Sequence, residues 1–263
     1  MEIKPRIGLP VRPSISAAAK YREELERMVL RTAAGLRREL IALFESPVAT
    51  QDASLGSQAR ITANALIAKY QKLFDSRSRR IAEEMVRRVD RDASSKFTRS
   101  LREMSGDLTL TTKSLQTGAL NDVLKASVAE NVQLIKSIGS RYLDSVQQSV
   151  MQAVTTGQGL AELVPALRRH EGVSSRRAKL IAYDQVRKVT ANVSKARAEA
   201  NGLTKYRWVH SGGGKEPRPL HVSYSGEIFS YDDPPIIDER TGERGGPGVA
   251  INCRCIAVPI LEF

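Results

Sequence analysis

Hydrophobic residues recur at helical spacing along most of the first 200 residues, and this pattern ends at Asn201 and Gly202. After Gly202 the segments 206–210, 227–231 and 255–260 alternate like strands, with loops rich in glycine and proline between them. Only 5% of the residues are aromatic, which also favours helices over a β-sandwich. The sequence therefore predicts a mainly α protein, in which an extended helical body precedes a small C-terminal α+β module with an antiparallel sheet and long loops.

The spacing of apolar and turn-forming residues divides the chain into four predicted segments. Residues 1–13 form an extended arm, 14–120 long basic amphipathic helices, 121–202 a helical lead-in and 203–263 a loop-rich β module. Within the helices we expect a linker at 46–52, a weak point at 92–95, a loop at 106–118, a break at 155–159 and a turn at 172–175. The first helix, from residue 14 or 16 to about 44, carries its apolar side chains at Leu25, Met28, Val29, Leu36, Leu40 and Leu43.

Positive charge is concentrated in the helical part of the chain. The net charge is +12, but residues 201–263 hold seven Lys or Arg and eight Asp or Glu, which leaves +13 for residues 1–200. Such a field favours polyanions or acidic protein surfaces, although a solvated helix face rich in arginine gives the same composition. The candidate contact residues on the second helix are Arg79, Arg80, Arg87, Arg88 and Arg91.

Rare residues cluster in the C-terminal module. The single Trp, both Cys and two of the three His lie in the last sixty residues. They belong to an ordered set that includes Glu-Pro-Arg-Pro-Leu-His at 216–221 and Asn-Cys-Arg-Cys at 252–255. We expect Trp208 to anchor the core, Glu216 and Arg218 to brace a loop as an ion pair, and Arg254 to project away from the cysteines. The full set is Trp208, Glu216, Arg218, His221, Gly226, Phe229, Pro234, Asn252, Cys253, Arg254 and Cys255.

This set resembles the Mu F-like head-morphogenesis family of tailed phages, whose members are also called minor capsid proteins. The family pattern has an aromatic strand, Asp-x-Arg-x-x-His, Gly-x-x-Phe, a proline pair and a closing Asn-Cys-Arg-Cys. The resemblance covers about residues 120–263 and includes upstream stretches at 131–138 and 172–182. It departs at Glu216, where the family more often has Asp.

The resemblance implies a non-enzymatic structural protein of the virion. Such proteins are present in multiple copies on the inside of the head, near the portal, and are linked to procapsid assembly, DNA packaging or genome delivery. The implied partners are the portal protein, the major capsid or scaffolding protein and packaged DNA. The alternative hypothesis is a nucleic-acid-binding protein without sequence preference, whose basic helices contact phosphates. No apolar run reaches the roughly 18 residues that cross a bilayer, and we expect synthesis in the host cytoplasm without a membrane partner.

Cys253, Cys255 and His221 leave three interpretations open. In an extended segment both cysteines point to the same side, and with His221 they offer three ligands suited to structural zinc. His210 or an acidic residue is the candidate for the fourth ligand. The second interpretation is two buried thiols beside a hydrogen-bonded histidine, with no cofactor, and the third is a catalytic Cys–His pair. A disulfide between residues two apart is disfavoured, and no phosphate loop, dinucleotide fingerprint or Ser-His-Asp pattern is present.

Overall fold

The computed structural model of the chain describes residues 5–45, 55–106, 118–213 and 216–262. The predicted linker at 46–52 and nearly all of the predicted loop at 106–118 lie outside these ranges. No helix in the described ranges has both the length and the apolar character that crossing a membrane requires.

Four long helices form most of the described chain, and the predicted fold class is confirmed. The break between the third and fourth helices is also confirmed, with Gly157 in the left-handed region at φ 65°. The helices are α1, Ile15–Phe44; α2, Leu55–Ser105; α3, Gly118–Thr156; and α4, Leu160–Ala200.

The predicted turn at 172–175 is wrong, and the predicted weak point at 92–95 does not interrupt its helix. α2 continues through residues 92–95 and α4 continues through residues 172–175. In each place the buried face of the helix is unbroken, with Ala93 and Phe97 in α2 and Ser174 and Ala178 in α4. Serine and glycine weaken a helix only by their propensity, and burial of the adjacent turns outweighs that cost.

Local hydrogen bonds fix the ends of the helices where the sequence predicts them. The Ser14 hydroxyl accepts a hydrogen bond from the Ala17 N–H at 3.2 Å and caps α1. At the end of α4, Gly202 has φ 77°, and the Leu203 N–H donates to the Ala198 carbonyl at 2.9 Å. This is a Schellman motif, and buried Leu203 completes it. The turn leads directly into the first strand of the C-terminal module.

The C-terminal module contains a four-stranded antiparallel sheet in the order β1-β6-β2-β3. The three predicted strands are confirmed. A short helix α5 and the hairpin β4–β5 lie between β2 and β6 in the chain. The elements are β1, Arg6–Ile7; β2, Lys205–Val209; α5, Pro219–Ser223; β3, Ile228–Ser230; β4, Ile236–Asp238; β5, Glu243–Arg244; and β6, Ile256–Leu261.

The N-terminal arm supplies a strand that the sequence analysis missed. Arg6 and Ile7 pair with β6, and the Gly8 N–H donates to the Pro259 carbonyl at 2.9 Å. The Arg6 guanidinium also donates to the Ser105 carbonyl at 2.8 Å, at the end of α2. A two-residue strand is too short to produce an alternating pattern, so only its extended conformation was predictable.

The chain folds into two compact units, each built from separate stretches of sequence. The sheet unit comprises residues 1–18, 83–128 and 183–263, and the helical unit comprises 19–82 and 129–182. The predicted segment boundaries at 13, 120 and 202 stay a prediction. The core of the helical unit includes Leu36, Leu40, Leu66, Tyr142, Val146 and Leu163.

Candidate functional site

The motif residues of the C-terminal module surround Trp208, which lies on β2 and is fully buried, as predicted for a core anchor. Its ring contacts His221 and Tyr224 edge-on, each at a centroid distance of 5.3 Å, and Phe229 at 6.0 Å. Edge-to-face packing of this kind adds to the energy of burial. Gly226, at φ 97°, forms the turn before β3 and donates its N–H to the Trp208 carbonyl at 2.8 Å. The aromatic strand and the Gly-x-x-Phe element therefore build one cluster.

His221 is buried on α5, and its two ring nitrogens have different partners. Nε2 lies 3.0 Å from the Ile237 carbonyl oxygen on β4. A carbonyl only accepts, so Nε2 carries the hydrogen, and in the neutral imidazole Nδ1 keeps its lone pair. Nδ1 lies 3.4 Å from Cys253 Sγ and 4.0 Å from Cys255 Sγ. The hairpin β4–β5 thus sets which nitrogen faces the cysteines.

The two cysteines are buried and free, and they face the same histidine, as the sequence predicts. A hydrogen bond from the Cys255 thiol lowers the pKa of Cys253, against the opposing effect of burial. The same bond together with burial raises the pKa of Cys255. The Gly248 N–H donates to Cys253 Sγ at 3.4 Å. One sulfur of the pair is therefore surrounded by hydrogen-bond donors.

These three side chains could hold a metal ion. Their ligand atoms all lie within 4.8 Å of one another. Within the described ranges the set contains neither His210 nor a carboxylate, so the predicted candidates for a fourth ligand are not brought to the site. His210 instead accepts a hydrogen bond at Nδ1 from the Gly212 N–H at 3.1 Å.

The backbone conformation of the Asn-Cys-Arg-Cys segment explains why its first residue is asparagine. Asn252 has φ 60°, a left-handed conformation that asparagine tolerates better than most residues. Asn252 follows Ile251 in a turn, and this turn is closed by a hydrogen bond of 2.9 Å from the Cys253 N–H to the Ala250 carbonyl. The Asp184 carboxylate of α4 accepts a hydrogen bond from the Asn252 N–H at 2.6 Å. This turn directs Cys253 inward.

The predicted ion pair between Glu216 and Arg218 is wrong. Both side chains are exposed, and the Arg218 guanidinium donates to the Ile251 carbonyl at 3.0 Å. No ion pair joins the two residues in the described chain. The Ile251 carbonyl accepts from one N–H of the guanidinium, and solvent can reach the remaining N–H groups because the side chain is exposed. Arg218 still braces a loop, but a different one.

The proline pair shapes the hairpin that carries the Ile237 carbonyl. The Pro234 carbonyl accepts a hydrogen bond from Arg244 Nε at 2.9 Å, and the Pro235 carbonyl accepts one from the Gly245 N–H at 3.0 Å. Proline cannot donate to a ladder, but both carbonyls remain available as acceptors. The pair therefore closes the base of the hairpin against the residues that follow β5.

A pocket of about 300 Å³ lies beside Cys255 within the sheet unit. Its lining includes Arg12, Arg187, Arg254 and Ser211. Burial and the positive charge of Arg254 lower the pKa of the Arg187 guanidinium. Arg254 is exposed, as predicted from its place between two inward-facing cysteines. Of the three residues His221, Cys253 and Cys255, only Cys255 lines this pocket.

The five candidate arginines of α2 differ in their surroundings. Arg80 lies 3.9 Å from Glu24, and Arg88 lies 3.2 Å from Glu84. Arg79 is exposed. Arg87 and Arg91 are also exposed, and neither forms an ion pair with a residue that the structure describes. Arg87 and Arg91 are therefore the members of the set best suited to bind an external partner.

Comparison with known proteins supports the predicted resemblance. Residues 144–258 match the model of the family described as Phage Mu protein F like protein. The similarity to that family covers 115 of the 263 residues. The Mu F-like segment includes every motif residue from Trp208 to Cys255, whereas the upstream stretch at 131–138 lies outside it.

One curated relative covers nearly the whole chain. It is an uncharacterized protein of Haemophilus influenzae, 32% identical over 259 residues, which are 96% of this chain and 55% of the relative. The chain therefore spans about half the length of this relative. No solved structure matches the chain.

Two residues of the site escaped the sequence analysis. Asp184 lies on helix α4 and accepts a hydrogen bond from the backbone N–H of Asn252, which is 68 positions later in the chain. Gly248 belongs to a glycine-rich turn, and its proximity to Cys253 depends on its φ of 88°. Neither residue has a local sequence signal beyond its presence near a motif.

Proposed function

We propose that this chain is a minor capsid protein of a tailed phage that binds the portal protein on the inside of the head during assembly. The observation that carries this proposal is the Mu F-like segment at residues 144–258. The protein acts as a structural component of the virion, not as an enzyme. The major capsid or scaffolding protein and packaged DNA are further partners in this proposal.

The charge distribution supports a contact with an acidic or nucleic-acid surface. Arg87 and Arg91, together with exposed Arg102 in the last turn of α2, follow one another at spacings of four and eleven residues. With 3.6 residues per turn, the three lie within about 60° of one another around the helix axis. They form a positively charged stripe on the part of α2 that belongs to the sheet unit.

Co-expression with the portal protein of the same phage tests the main proposal. After nuclease treatment and at moderate salt, we expect a complex of defined stoichiometry in size-exclusion chromatography with mass determination. Two proteins that elute separately under these conditions would contradict the portal contact.

A second candidate function, DNA binding without sequence preference, is favoured by the same stripe. In a fluorescence-anisotropy titration, binding should weaken steeply with salt. Replacing Arg87, Arg91 and Arg102 together by Gln should lower the salt slope by roughly three, about one for each lost phosphate contact. The matched control replaces three exposed arginines of the helical unit, Arg31, Arg168 and Arg169, by Gln. Equal losses in both variants would mean that net charge alone drives binding.

The same two triple variants distinguish a portal contact of the stripe from a DNA contact. If the stripe contacts an acidic portal surface, the variant with Gln at 87, 91 and 102 loses the portal complex and the control retains it. If the stripe contacts only DNA, both variants retain the portal complex, and the first alone loses DNA binding.

A further inference from the structure

We propose that His221, Cys253 and Cys255 bind a zinc ion that ties the Asn-Cys-Arg-Cys segment to helix α5. All three residues are buried, and their ligand atoms converge within 4.8 Å. Two sulfur ligands and one imidazole nitrogen are a set that zinc prefers over magnesium or calcium. The site stands independently of the proposed role in head assembly.

The protonation of His221 suits a metal ligand. Donation of Nε2–H to the Ile237 carbonyl leaves the Nδ1 lone pair directed at the two sulfurs. Histidine ligands of zinc typically donate their other N–H to a carbonyl or carboxylate, which fixes the ring orientation and the tautomer. Here the backbone of β4 supplies that acceptor.

The distances match a tetrahedral zinc site. Zn–N of about 2.0 Å and Zn–S of about 2.3 Å place nitrogen and sulfur ligands roughly 3.6 Å apart at the tetrahedral angle. Nδ1 lies 3.4 Å from Cys253 Sγ and 4.0 Å from Cys255 Sγ. Both nitrogen–sulfur distances are therefore within about 0.4 Å of the tetrahedral value, and all three ligand atoms lie within 4.8 Å of one another.

The surroundings compensate the charge of a zinc–dithiolate centre. Two thiolates neutralise Zn²⁺, so that a neutral His221 gives a centre without net charge, which suits a buried location. Each thiol that still carries a proton releases it to solvent on binding. The Gly248 N–H already donates to Cys253 Sγ and remains available to the metal-bound sulfur. Glycine is required there, because φ is 88° and a Cβ would lie 3.2 Å from the Ala191 Cβ.

The fourth position of the zinc ion is left to water, because the set contains three protein ligands. Of these three, Cys255 also lines the cavity of about 300 Å³, which is large enough for water molecules.

Metal analysis of the full-length protein tests the proposal. Purified without chelators, the protein should contain one zinc per chain by plasma mass spectrometry. Replacement by Co²⁺ should give the near-ultraviolet charge-transfer band of thiolate-to-cobalt bonds. Removal of zinc by a strong chelator should lower Tm, and addition of Zn²⁺ should restore it.

Matched variants separate ligation from folding. His221→Gln and Cys253→Ser should lose the zinc, whereas His210→Gln and His170→Gln should retain it. Because the ligand variants can also unfold the module, the chelation and cobalt measurements on the unaltered chain decide the matter. A cooperatively folded wild type that contains no zinc, shows no cobalt–thiolate band and has the same Tm with and without Zn²⁺ would overturn the proposal. The cluster would then be a thiol hydrogen-bonded to a buried imidazole.

Discussion

Removal of the Asp90 carboxylate tests whether a buried arginine depends on a single partner. Arg197 on α4 has a side chain only 2% exposed, and its Nη2 donates to Asp90 Oδ1 on α2 at 2.6 Å. Its Nε and Nη1 are buried and have no hydrogen-bond partner in the described chain. Asp90→Ala therefore leaves a buried guanidinium without its counter-charge, which should cost about 3–5 kcal/mol of unfolding free energy.

The opposite substitution should cost much less. Arg197→Met keeps most of the side-chain volume and removes both the buried charge and the two unpartnered N–H groups. The remaining Asp90 side chain is 17% exposed, so water can still reach it. We expect a loss below about 1.5 kcal/mol. The double variant Asp90→Ala with Arg197→Met should cost about as little as Arg197→Met alone, because no buried charge is left without its partner.

Urea unfolding followed by Trp208 fluorescence measures these differences. Trp208 is the single tryptophan and is fully buried in the same unit as the ion pair. The double-variant cycle should give a coupling energy of at least about 2 kcal/mol, with unchanged m-values. If Asp90→Ala costs under about 1 kcal/mol while Arg197→Met costs more, the dependence of Arg197 on one carboxylate is refuted.

Substitutions at three further positions, with one control position, test the packing by thermal and urea unfolding. Trp208→Ala should cost about 3–5 kcal/mol, and Trp208→Phe distinctly less, because phenylalanine keeps the edge-on ring contacts; equal losses would contradict this. Gly139→Ala places a Cβ 2.5 Å from Phe74 and should cost about 1–3 kcal/mol. Its control, Gly172→Ala, should stabilise by about 0.5–1 kcal/mol, and a loss would indicate a turn there. Asn252→Ala should cost about 1–2 kcal/mol and Asn252→Gly almost nothing; equal costs would exclude backbone strain as the cause.

Helical periodicity predicts the long helices because their buried faces repeat every three or four residues. It fails where local propensity and packing disagree. Gly172 and the serines after it are typical of a turn, yet Ser174 is buried and α4 continues. Conversely, the pairing of Arg6 with Leu261 joins the two ends of the described chain. No local pattern encodes a contact over such a distance in sequence.

The site shows where the sequence stops being sufficient. Alternation along an extended segment places Cys253 and Cys255 on one side, and this was predictable. The orientation of the His221 ring was not predictable. It depends on the hydrogen bond to the Ile237 carbonyl, and the hairpin closed by the proline pair positions that carbonyl. The motif order in the sequence is thus the order in which separate segments bring together the His221 imidazole, the carbonyl that accepts from its Nε2–H, and the two cysteine sulfurs. A motif that only filled a core would not need a carbonyl to fix one ring nitrogen of His221 while the other nitrogen faces two thiols. The metal measurement therefore comes before any other test of the module.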